Sequence, residues 1–271
     1  MIEIKHSEDP YVPDRLYENN ALAITRKNAR FIEAVVALDS NYGKDAEYNA
    51  PDPEFEPEQK ASNAEGMYCG STVYWFDEMQ KKGSDFRRCV LGAVIAIDTT
   101  NSTHLEACEN GRKTMRDRIC SLCRDCEELK EKLTEEFDPL NRQGLIYVLS
   151  ESMKVKQKDA NRKNISFATK FCSYAALYLH TGIEYSKYDD IVSRALPTYA
   201  KHYLNKDFTK YYFKPNPEKE KGLTDAEKLH NRLVIYKEYS DTIKEILAVV
   251  SKEKVSIDEF DHIVWYGLKG K

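Results

Sequence analysis

Three residues of this chain have the types and the spacing that covalent chemistry on a carbon atom requires. Lys163 and Lys170 are seven positions apart, so two helical turns would place both amines on one helix face. Asp189 follows the same apolar segment and precedes Ile191. A lysine amine can attack an electrophilic carbon and form a covalent intermediate, while a fixed carboxylate stabilises a developing cation. Lys163, Asp189 and Lys170 are therefore the candidate catalytic residues.

The position of Lys163 favours it as the nucleophile. It stands at the start of a predicted helix over residues 165–179, where backbone N–H groups lack partners and the helix dipole is positive. Such an environment disfavours a second positive charge, and only a neutral amine attacks. Structural alternatives stay open: either lysine fits a solvated surface, Asp189 fits a helix N-cap, and Asp190 competes for the role of the acid.

Basic residues surround Lys163 in the sequence. Six of them lie within seventeen positions that contain a single acid: Lys154, Lys156, Lys158, Arg162, Lys163 and Lys170. A cationic patch at a helix start suits phosphate groups, so the first four of these residues are the candidate DNA contacts. A second stretch, residues 199–214, alternates lysines with aromatic side chains that can stack on bases. Each stretch is equally compatible with a solvated face or, for the aromatic residues, with the core.

Helical periodicity dominates the segments that would position these residues. Apolar stripes predict the following helices: 24–38, 73–79, 86–97, 144–153, 165–179 and 191–196. The second and third of these are short enough to be strands instead, and Pro197 is expected to end the last. Residues 104–137 are rich in charge and predict one long, mostly solvated helix, which Asp138-Pro139 ends.

Capping signals mark the last two helices. Thr224 and Glu227 form a capping-box pattern, as do Ser256 and Glu259. Gly267 stands where a helix C-terminal cap is expected. With no internal repeat and no alternation of strands and helices, the sequence predicts a mainly α fold. We expect one compact domain of 271 residues with two helical lobes and a cleft between them.

Residues 43–66 interrupt the helical pattern. They contain three prolines, and seven acids against two lysines, which predicts an exposed acidic loop. A loop of this kind offers a surface to another protein, so a protein–protein adaptor is a minor functional hypothesis.

The composition favours a folded chain that works away from membranes. Hydrophobic residues make up 41% and charged residues 32%, and the formal net charge is −4. That charge argues against a general nucleic-acid coat protein, although a local DNA contact depends on how charge is distributed. No apolar run approaches the roughly 20 residues of a membrane span, and the N-terminus lacks a signal-peptide pattern. We therefore expect a cytoplasmic protein with no membrane partner.

Three of the seven cysteines have a spacing that suggests a metal site. Cys120, Cys123 and Cys126 are three positions apart within the predicted long helix. That spacing rotates around a helix, and no clear fourth ligand accompanies it. Buried, reduced thiols are the expected interpretation, with no metal and no cofactor. The six histidines have no metal-ligand spacing, and the usual nucleotide-binding and serine-hydrolase motifs are missing.

A resemblance to a known family is carried by two neighbouring segments: ISFATKFCSY at 165–174 and YSKYDD at 185–190. Together they resemble a helix and loop of bacterial proteins grouped with 8-oxoguanine DNA glycosylases, in the helix-hairpin-helix DNA glycosylase superfamily. The C-terminal IDEFDHIVWYGLKGK is similar to the closing helix of that group. The resemblance covers residues 162–199 and 256–271, so residues 140–271 would form the glycosylase-like half.

This resemblance implies a helix-hairpin-helix glycosylase-like fold and the excision of an oxidised purine from DNA through a lysine Schiff base. Lys163 falls on the nucleophile of the family, Lys170 on a frequent second lysine, and Asp189 on the catalytic aspartate. Such enzymes extrude the damaged base into an aromatic-walled pocket. The candidate wall residues are Phe167, Tyr174 and Tyr188.

A second hypothesis keeps the fold without the chemistry. The family's hairpin carries a glycine-x-glycine turn before the nucleophile, whereas residues 157–164 contain no glycine. This departure and the acidic net charge favour a catalytically inactive helical DNA-binding or regulatory protein, for example one with a role in defence. The two hypotheses differ in whether a base is released.

Overall fold

Helices make up most of the structure. The computed structural model describes these residues: 3–17, 20–38, 50–60, 69–101, 103–135, 138–158, 160–209 and 212–269. Within this part of the chain there are eleven α-helices and four two-residue strands, so the prediction of a mainly α fold is confirmed. None of these helices combines the length and the apolar character that crossing a bilayer demands.

The helices are, in chain order, α1 (Arg26–Leu38), α2 (Pro57–Lys60), α3 (Thr72–Gln80), α4 (Phe86–Thr100), α5 (Gly111–Leu122), α6 (Cys126–Thr134), α7 (Leu145–Ser150), α8 (Ile165–Tyr178), α9 (Asp190–Leu204), α10 (Asp225–Val249) and α11 (Ile257–Lys269). The strands are β1 (Ile4–Lys5), β2 (Arg15–Leu16), β3 (Met153–Lys154) and β4 (Asn161–Arg162). Strand β1 pairs antiparallel with β2, and β3 pairs antiparallel with β4.

The chain forms two compact units. Met1–Leu38 and Glu184–Lys271 form the terminal unit, and Asp39–Ile183 forms the central unit. In the terminal unit, α11 packs against α1 and α9, and α9 also packs against α10. Buried tyrosines of α9 fix the segment that leads into α1: the Tyr199 hydroxyl donates to the Leu22 carbonyl (2.9 Å), and the Tyr203 hydroxyl accepts from the Ile24 N–H (2.8 Å).

Helix α4 is the core of the central unit. All ten residues from Cys89 to Asp98 are buried, and α4 packs against α2, α3, α5 and α8. Asp85 starts the helix by accepting a hydrogen bond from the Arg88 N–H (3.1 Å). The predicted apolar segments 73–79 and 86–97 are therefore helices and not strands.

Close packing at one glycine sets the distance between α3 and α4. The Trp75 side chain is almost fully buried, and its indole N–H donates to the Cys69 carbonyl (2.6 Å). A Cβ atom added at Gly92 would lie 2.2 Å from Cδ2 of this indole. Only a residue without a side chain fits at this position while Trp75 keeps its place.

The prediction of one long solvated helix at residues 104–137 is wrong. A 3-10 turn at Leu105–Ala107 is followed by α5 and α6, with a break at Cys123, where the backbone is extended. Asp125 starts α6 by accepting from the Glu128 N–H (3.0 Å). Because charged residues dominate this segment of the sequence, the pattern did not indicate its buried face, which includes Met115, Ile119, Leu129 and Leu133. The segment forms two shorter helices, α5 and α6, because each can then bury its apolar face against neighbouring helices.

Three predicted helix ends are also wrong. Helix α7 ends at Ser150, and Met153 belongs to a strand. Pro197 lies inside α9, which runs on to Leu204. Gly267 lies inside α11, where an added Cβ would be 3.0 Å from Leu22 Cγ, so a close contact explains this glycine better than a helix end. Packing of these helices outweighs the local end signals.

Both capping boxes are confirmed. The Glu227 N–H donates to the Thr224 hydroxyl (3.3 Å), and the Thr224 N–H donates to the Glu227 carboxylate (2.8 Å). The Glu259 N–H donates to the Ser256 hydroxyl (3.1 Å), and the Ser256 N–H donates to the Glu259 carboxylate (2.8 Å). Each box satisfies backbone groups locally, which is why the sequence alone located these helix starts.

The predicted acidic loop 43–66 lies partly outside the described residues. Its described portion, residues 50–60, contains α2 and the buried Phe55 side chain, 3% exposed. The Glu58 carboxylate of α2 contacts the guanidinium of Arg116. This portion is therefore packed on the central unit and is not uniformly exposed.

We expect Gly92→Ala to lower the free energy of unfolding of the central unit by about 1–3 kcal/mol, because the new methyl group would overlap the indole of Trp75. Urea unfolding, followed by circular dichroism, measures the change. The double variant Gly92→Ala, Trp75→Leu should lose less than the sum of the two single losses, since the smaller side chain leaves room for the methyl group. Strict additivity would contradict this account.

Candidate functional site

The chain doubles back immediately before Lys163. Helix α7 ends at Ser150, and β3 and β4 form a hairpin in which Met153 pairs with Arg162. The Asn164 N–H then donates to the Ser150 carbonyl (3.1 Å). The hairpin thus places Lys163, which follows β4, beside the end of α7.

Asn164 anchors the start of α8 beside this hairpin. Its side-chain amide donates to the carbonyls of Glu151 (3.0 Å) and Arg162 (3.3 Å). The Asn164 side-chain oxygen and the Ser150 hydroxyl are buried and have no hydrogen-bond partner within the described part of the chain. Buried oxygens without a partner are costly in a fold, and they are a feature of sites that serve a water or a ligand.

The Lys163 amine lies against a serine hydroxyl. This side chain is half-buried, and its amine donates to the Ser152 hydroxyl oxygen. Arg118, from α5, donates to the carbonyls of Glu151 and Ser152 at 3.1 Å each. Burial lowers the pKa of Arg118 below its ordinary value. Two cationic side chains therefore approach Ser152, and the Glu151 carboxylate, 3.9 Å from the Arg118 guanidinium, offsets one of the two positive charges.

The predicted DNA contacts lie on the same hairpin. Three of them are exposed: Lys154, Lys156 and Lys158. The Lys154 amine is 3.5 Å from the Glu109 carboxylate. Arg162 is half-buried, and its guanidinium donates to the His104 carbonyl (3.3 Å). The structure therefore brings these four residues together on one hairpin, with Lys163 at its base.

A neighbouring segment holds the hairpin in place. The Lys156 N–H donates to the Ala107 carbonyl, and the Glu109 N–H donates to the Lys154 carbonyl, each at 2.9 Å. Residues 107–109 thus act as a third strand along β3. The position of Lys163 depends on where this segment is fixed.

A buried ion pair fixes that segment. Asp98, near the end of α4, is 2.8 Å from the Arg112 guanidinium at the start of α5. The same carboxylate accepts from the Thr103 hydroxyl (2.6 Å) and the Leu105 N–H (2.8 Å). Burial alone would raise the pKa of Asp98, but its hydrogen-bond partners outweigh burial and lower it. Asp98 is therefore ionised at neutral pH and holds the turn that follows α4.

Lys170 has different contacts from Lys163. Its side chain is buried in α8, and its amine donates to the carbonyl of Asn101, the C-cap residue of α4 (3.3 Å). A cation at a helix C-terminus is stabilised by the helix dipole. This contact gives Lys170 a structural role, and its catalytic role stays a prediction.

Two of the aromatic residues predicted for a base pocket pack within the central unit. Phe167 is fully buried and stacks on Phe171, with 6.0 Å between ring centroids. Tyr174 stacks on Tyr178, also at 6.0 Å, and its hydroxyl donates to the Asn101 side-chain oxygen (3.0 Å). These contacts explain why α8 has a heavy aromatic face, and the base-pocket role stays a prediction.

Asp189 and Tyr188 belong to the terminal unit. The Asp189 carboxylate accepts from the Ile191 N–H (2.8 Å) and starts α9, so the N-cap interpretation is confirmed. The Tyr188 hydroxyl donates to the Phe213 carbonyl (2.6 Å), and burial raises the pKa of this tyrosine. Lys163 belongs to the central unit, and its pairing with Asp189 stays a prediction.

The structure reveals a buried lysine that the sequence patterns did not single out. Lys187 is 4% exposed, and its amine lies 2.5 Å from the Asp258 carboxylate at the start of α11. His262, one helical turn further on, has Nδ1 3.6 Å from that carboxylate. The Tyr239 hydroxyl of α10 donates to the Lys187 carbonyl (2.8 Å). Asp258 and His262 have the spacing of one helix face, but no local signal connects them to Lys187.

The charges in this cluster depend on pH. Burial alone would raise the pKa of Asp258, yet Lys187 and His262 together lower it to about 2. Burial lowers the pKa of His262, an effect that Asp258 and Glu259 oppose and Lys187 reinforces. At neutral pH the cluster therefore contains an ionised Asp258 and a neutral His262.

The cysteine triplet is not on one helix as predicted. Cys120 lies in α5, Cys123 follows the end of α5, and Cys126 begins α6. Cys123 and Cys126 are buried free thiols, and burial raises the pKa of Cys123 to about 12. Across the described ranges, no three His, Cys, Asp or Glu side chains are grouped to hold a metal ion.

Comparison with known proteins assigns neither a family nor a function to this chain. No protein-family model, curated protein or solved structure matches this chain. The role of the residues around Lys163 therefore rests on their own contacts and chemistry.

We expect Asp98→Asn to lower the free energy of unfolding of the central unit by about 3–5 kcal/mol, because the buried Arg112 would lose its nearer carboxylate partner and keep only Glu106, at 3.9 Å. The chain has two tryptophans, so Trp265→Phe leaves Trp75 as a fluorescent reporter of this unit during urea unfolding. The matched control is Glu127→Gln, whose side chain is 77% exposed and whose loss should change little. Equal losses in the two variants would contradict the role assigned to Asp98.

We expect acid to destabilise the terminal unit through Asp258 and His262. The lowered pKa of Asp258 stabilises the fold above its ordinary value of 3.8, and this contribution is lost as the pH falls towards about 2. The lowered pKa of His262 makes its protonation unfavourable in the folded state once the pH falls below 6.5. Both groups therefore act in the same direction.

The measurement is the free energy of unfolding between neutral pH and about pH 3, with Trp265 as the reporter in a Trp75→Phe background. His262→Gln should remove the part of the loss that begins below pH 6.5. Asp258→Asn should lower stability at neutral pH, since the buried Lys187 loses its carboxylate partner. An unchanged pH dependence in both variants would show that other groups control it.

Proposed function

We propose that this protein is a DNA glycosylase-like enzyme that excises a damaged base, an oxidised purine, with Lys163 as its nucleophile. The observation that carries the proposal is the position of Lys163. Its amine contacts the Ser152 hydroxyl at the base of a hairpin that exposes three lysines, and Arg118 donates to the backbone carbonyl of the same serine. A nucleophile beside a phosphate-binding surface is what base excision needs.

The chemistry follows from an amine that attacks the sugar. The nitrogen lone pair of Lys163 bonds to C1′ of the flipped nucleotide, and the bond from C1′ to the base breaks with its electron pair on the base, which takes up a proton. The C1′–O4′ bond then breaks with its electron pair on O4′, and the nitrogen gives up its two protons, which balance the proton on the base and the proton on O4′. The product is a Schiff base between Lys163 and the sugar.

DNA binding in this proposal relies on the hairpin. Its three exposed lysines, Lys154, Lys156 and Lys158, would contact phosphates of the DNA backbone, while the half-buried Arg162 fixes β4 to the His104 carbonyl. Each phosphate contact releases counterions, so affinity should fall steeply with salt.

Asp189 is proposed to assist by deprotonation and by stabilising the developing cation of the sugar. Its carboxylate is fixed in position by its N-cap hydrogen bond to Ile191. General base assistance typically contributes a factor of about 10²–10⁴ in rate. Asp189→Asn therefore tests this role through the rate of Schiff-base formation.

A second candidate is a DNA-binding protein that keeps the surface without the chemistry. The connection from α7 to α8 is a two-stranded hairpin without a glycine turn, whereas the family it resembles has a tight glycine-bearing hairpin there. The amine of Lys163 also has a hydrogen-bond partner in the Ser152 hydroxyl. Both observations favour binding without base release.

We expect borohydride to trap a covalent adduct between the protein and a DNA duplex that carries an oxidised purine, because borohydride reduces a Schiff base to a stable amine. Lys163→Ala should abolish the adduct. The matched control is Lys158→Ala, which removes an exposed lysine of the same hairpin and should weaken DNA binding while leaving the adduct. Gel electrophoresis measures the adduct, and a salt titration measures binding.

Three other outcomes would change the proposal. An adduct that survives Lys163→Ala and disappears in Lys170→Ala would make Lys170 the nucleophile. Salt-dependent DNA binding without base release would favour the second candidate. If no DNA binding occurred even at low salt, both candidates would be rejected.

A further inference from the structure

The terminal unit contains a cavity of about 870 Å³ that the proposed chemistry of Lys163 does not use. It lies between α10 and the irregular segment that leads into it. The lining residues that matter for its chemistry are Arg194, Tyr212, Lys214, Asn231, Val234 and Glu238. Sites for small organic ligands fall in the same range of size, roughly 300–1,000 Å³.

One face of α10 forms the floor of this cavity. Asn231, Val234, Ile235 and Glu238 have the spacing of residues that share a helix face. Val234 and Ile235 are half-buried and present an apolar surface. Asn231 is exposed at one end of this floor, where its amide can donate and accept hydrogen bonds.

An aromatic ring stands at the edge of the apolar floor. Tyr212 is 39% exposed, yet its ring is held by Phe208 at 4.6 Å and Phe213 at 5.1 Å between centroids. The neighbouring Glu238 carboxylate of α10 raises the pKa of Tyr212 through hydrogen bonding to its hydroxyl. A ring fixed in this way offers a stacking surface to a planar ligand.

Cations stand at the side of the cavity formed by α9. The Arg194 guanidinium and the Lys214 amine both contact the carboxylate of Asp190, so two positive charges share one negative charge. At another part of the wall, the Arg232 guanidinium donates two hydrogen bonds of 2.6 Å to the Glu220 carboxylate. Arg194 and Lys214 therefore carry a net positive charge at this side of the cavity, while Lys219 adds a further cation and Glu238 an acid elsewhere in the lining.

We infer that this cavity binds a nucleoside 5′-phosphate, with the phosphate at Arg194 and Lys214 and the planar base over Val234 beside Tyr212. The cations suit a phosphate because each can donate charge-assisted hydrogen bonds to its oxygens. The apolar floor and the tyrosine ring suit a base, and the amide of Asn231 suits its polar edge. The inference is independent of Lys163 and of base excision.

Calorimetric titration of the full chain tests this inference. The probes are adenosine 5′-monophosphate, guanosine 5′-monophosphate, the two nucleosides and inorganic phosphate. We expect a nucleotide to bind at least about tenfold more tightly than its nucleoside or phosphate alone, since only the nucleotide satisfies both parts of the cavity. A 5′-phosphorylated tetranucleotide in a parallel titration shows whether a free nucleotide or a strand end is the preferred source.

Variants assign the binding to this cavity. Arg194→Gln and Lys214→Met should each weaken nucleotide binding by about tenfold or more, and Val234→Trp should block it by filling the floor. The control Lys252→Met removes an exposed lysine outside the cavity and should leave binding unchanged, as should Lys163→Ala. Arg194 has a side chain that is 58% exposed, so its variant is expected to fold even if Val234→Trp does not.

Several results would overturn the inference. These are equal affinity for nucleoside and nucleotide, affinity unchanged in both Arg194→Gln and Lys214→Met, and no saturable binding of any probe below about 1 mM. Loss of binding in Lys163→Ala would place the nucleotide at the other candidate site. If borohydride traps no adduct but the nucleotide still binds, the base-excision proposal is rejected and the nucleotide-binding inference stands.

Discussion

The buried ion pair of Asp98 and Arg112 is the contact on which the site around Lys163 depends. A carboxylate with no exposed surface must find partners, and Asp98 finds them in the turn that follows its own helix. That turn carries residues 107–109, which hold the β3–β4 hairpin through backbone hydrogen bonds. The hairpin in turn places Lys163 beside Ser152. One buried charge thus determines the position of an amine sixty-five residues further along the chain.

The terminal unit satisfies its buried polar groups with hydroxyls. The irregular segment before α9 has carbonyl groups that no helix bonds, and two tyrosines of α10 donate to them: Tyr236 to Ser186 (2.9 Å) and Tyr239 to Lys187 (2.8 Å). These contacts hold the segment rigidly enough for Lys187 to meet Asp258 inside the unit. Tyr236 and Tyr239 therefore serve as hydrogen-bond donors of the core as well as apolar filling.

Much of the helical framework could be predicted from the sequence, because its signals are local. The capping boxes at Thr224 and Ser256 place their partners three residues away, and an apolar run rich in aromatic residues marks α8. The failures have a common cause. Residues 104–137 are charged but bury one face, and Pro197 is tolerated within α9 because the helix is packed on both sides of it. In each case tertiary contacts outweighed a local preference.

The sequence by itself determined the mainly α class, the clustering of basic residues before α8 and the helix N-cap at Asp189, since each depends on residues that are close along the chain. Only the tertiary structure decided which cations meet a partner. Lys170 donates to the C-terminal end of α4, Lys187 pairs with Asp258, and Lys163 donates to Ser152, although no local sequence signal distinguishes these three environments. Whether a lysine is solvated or buried with a partner depends on residues that are distant in the sequence. A local sequence pattern does not contain this information.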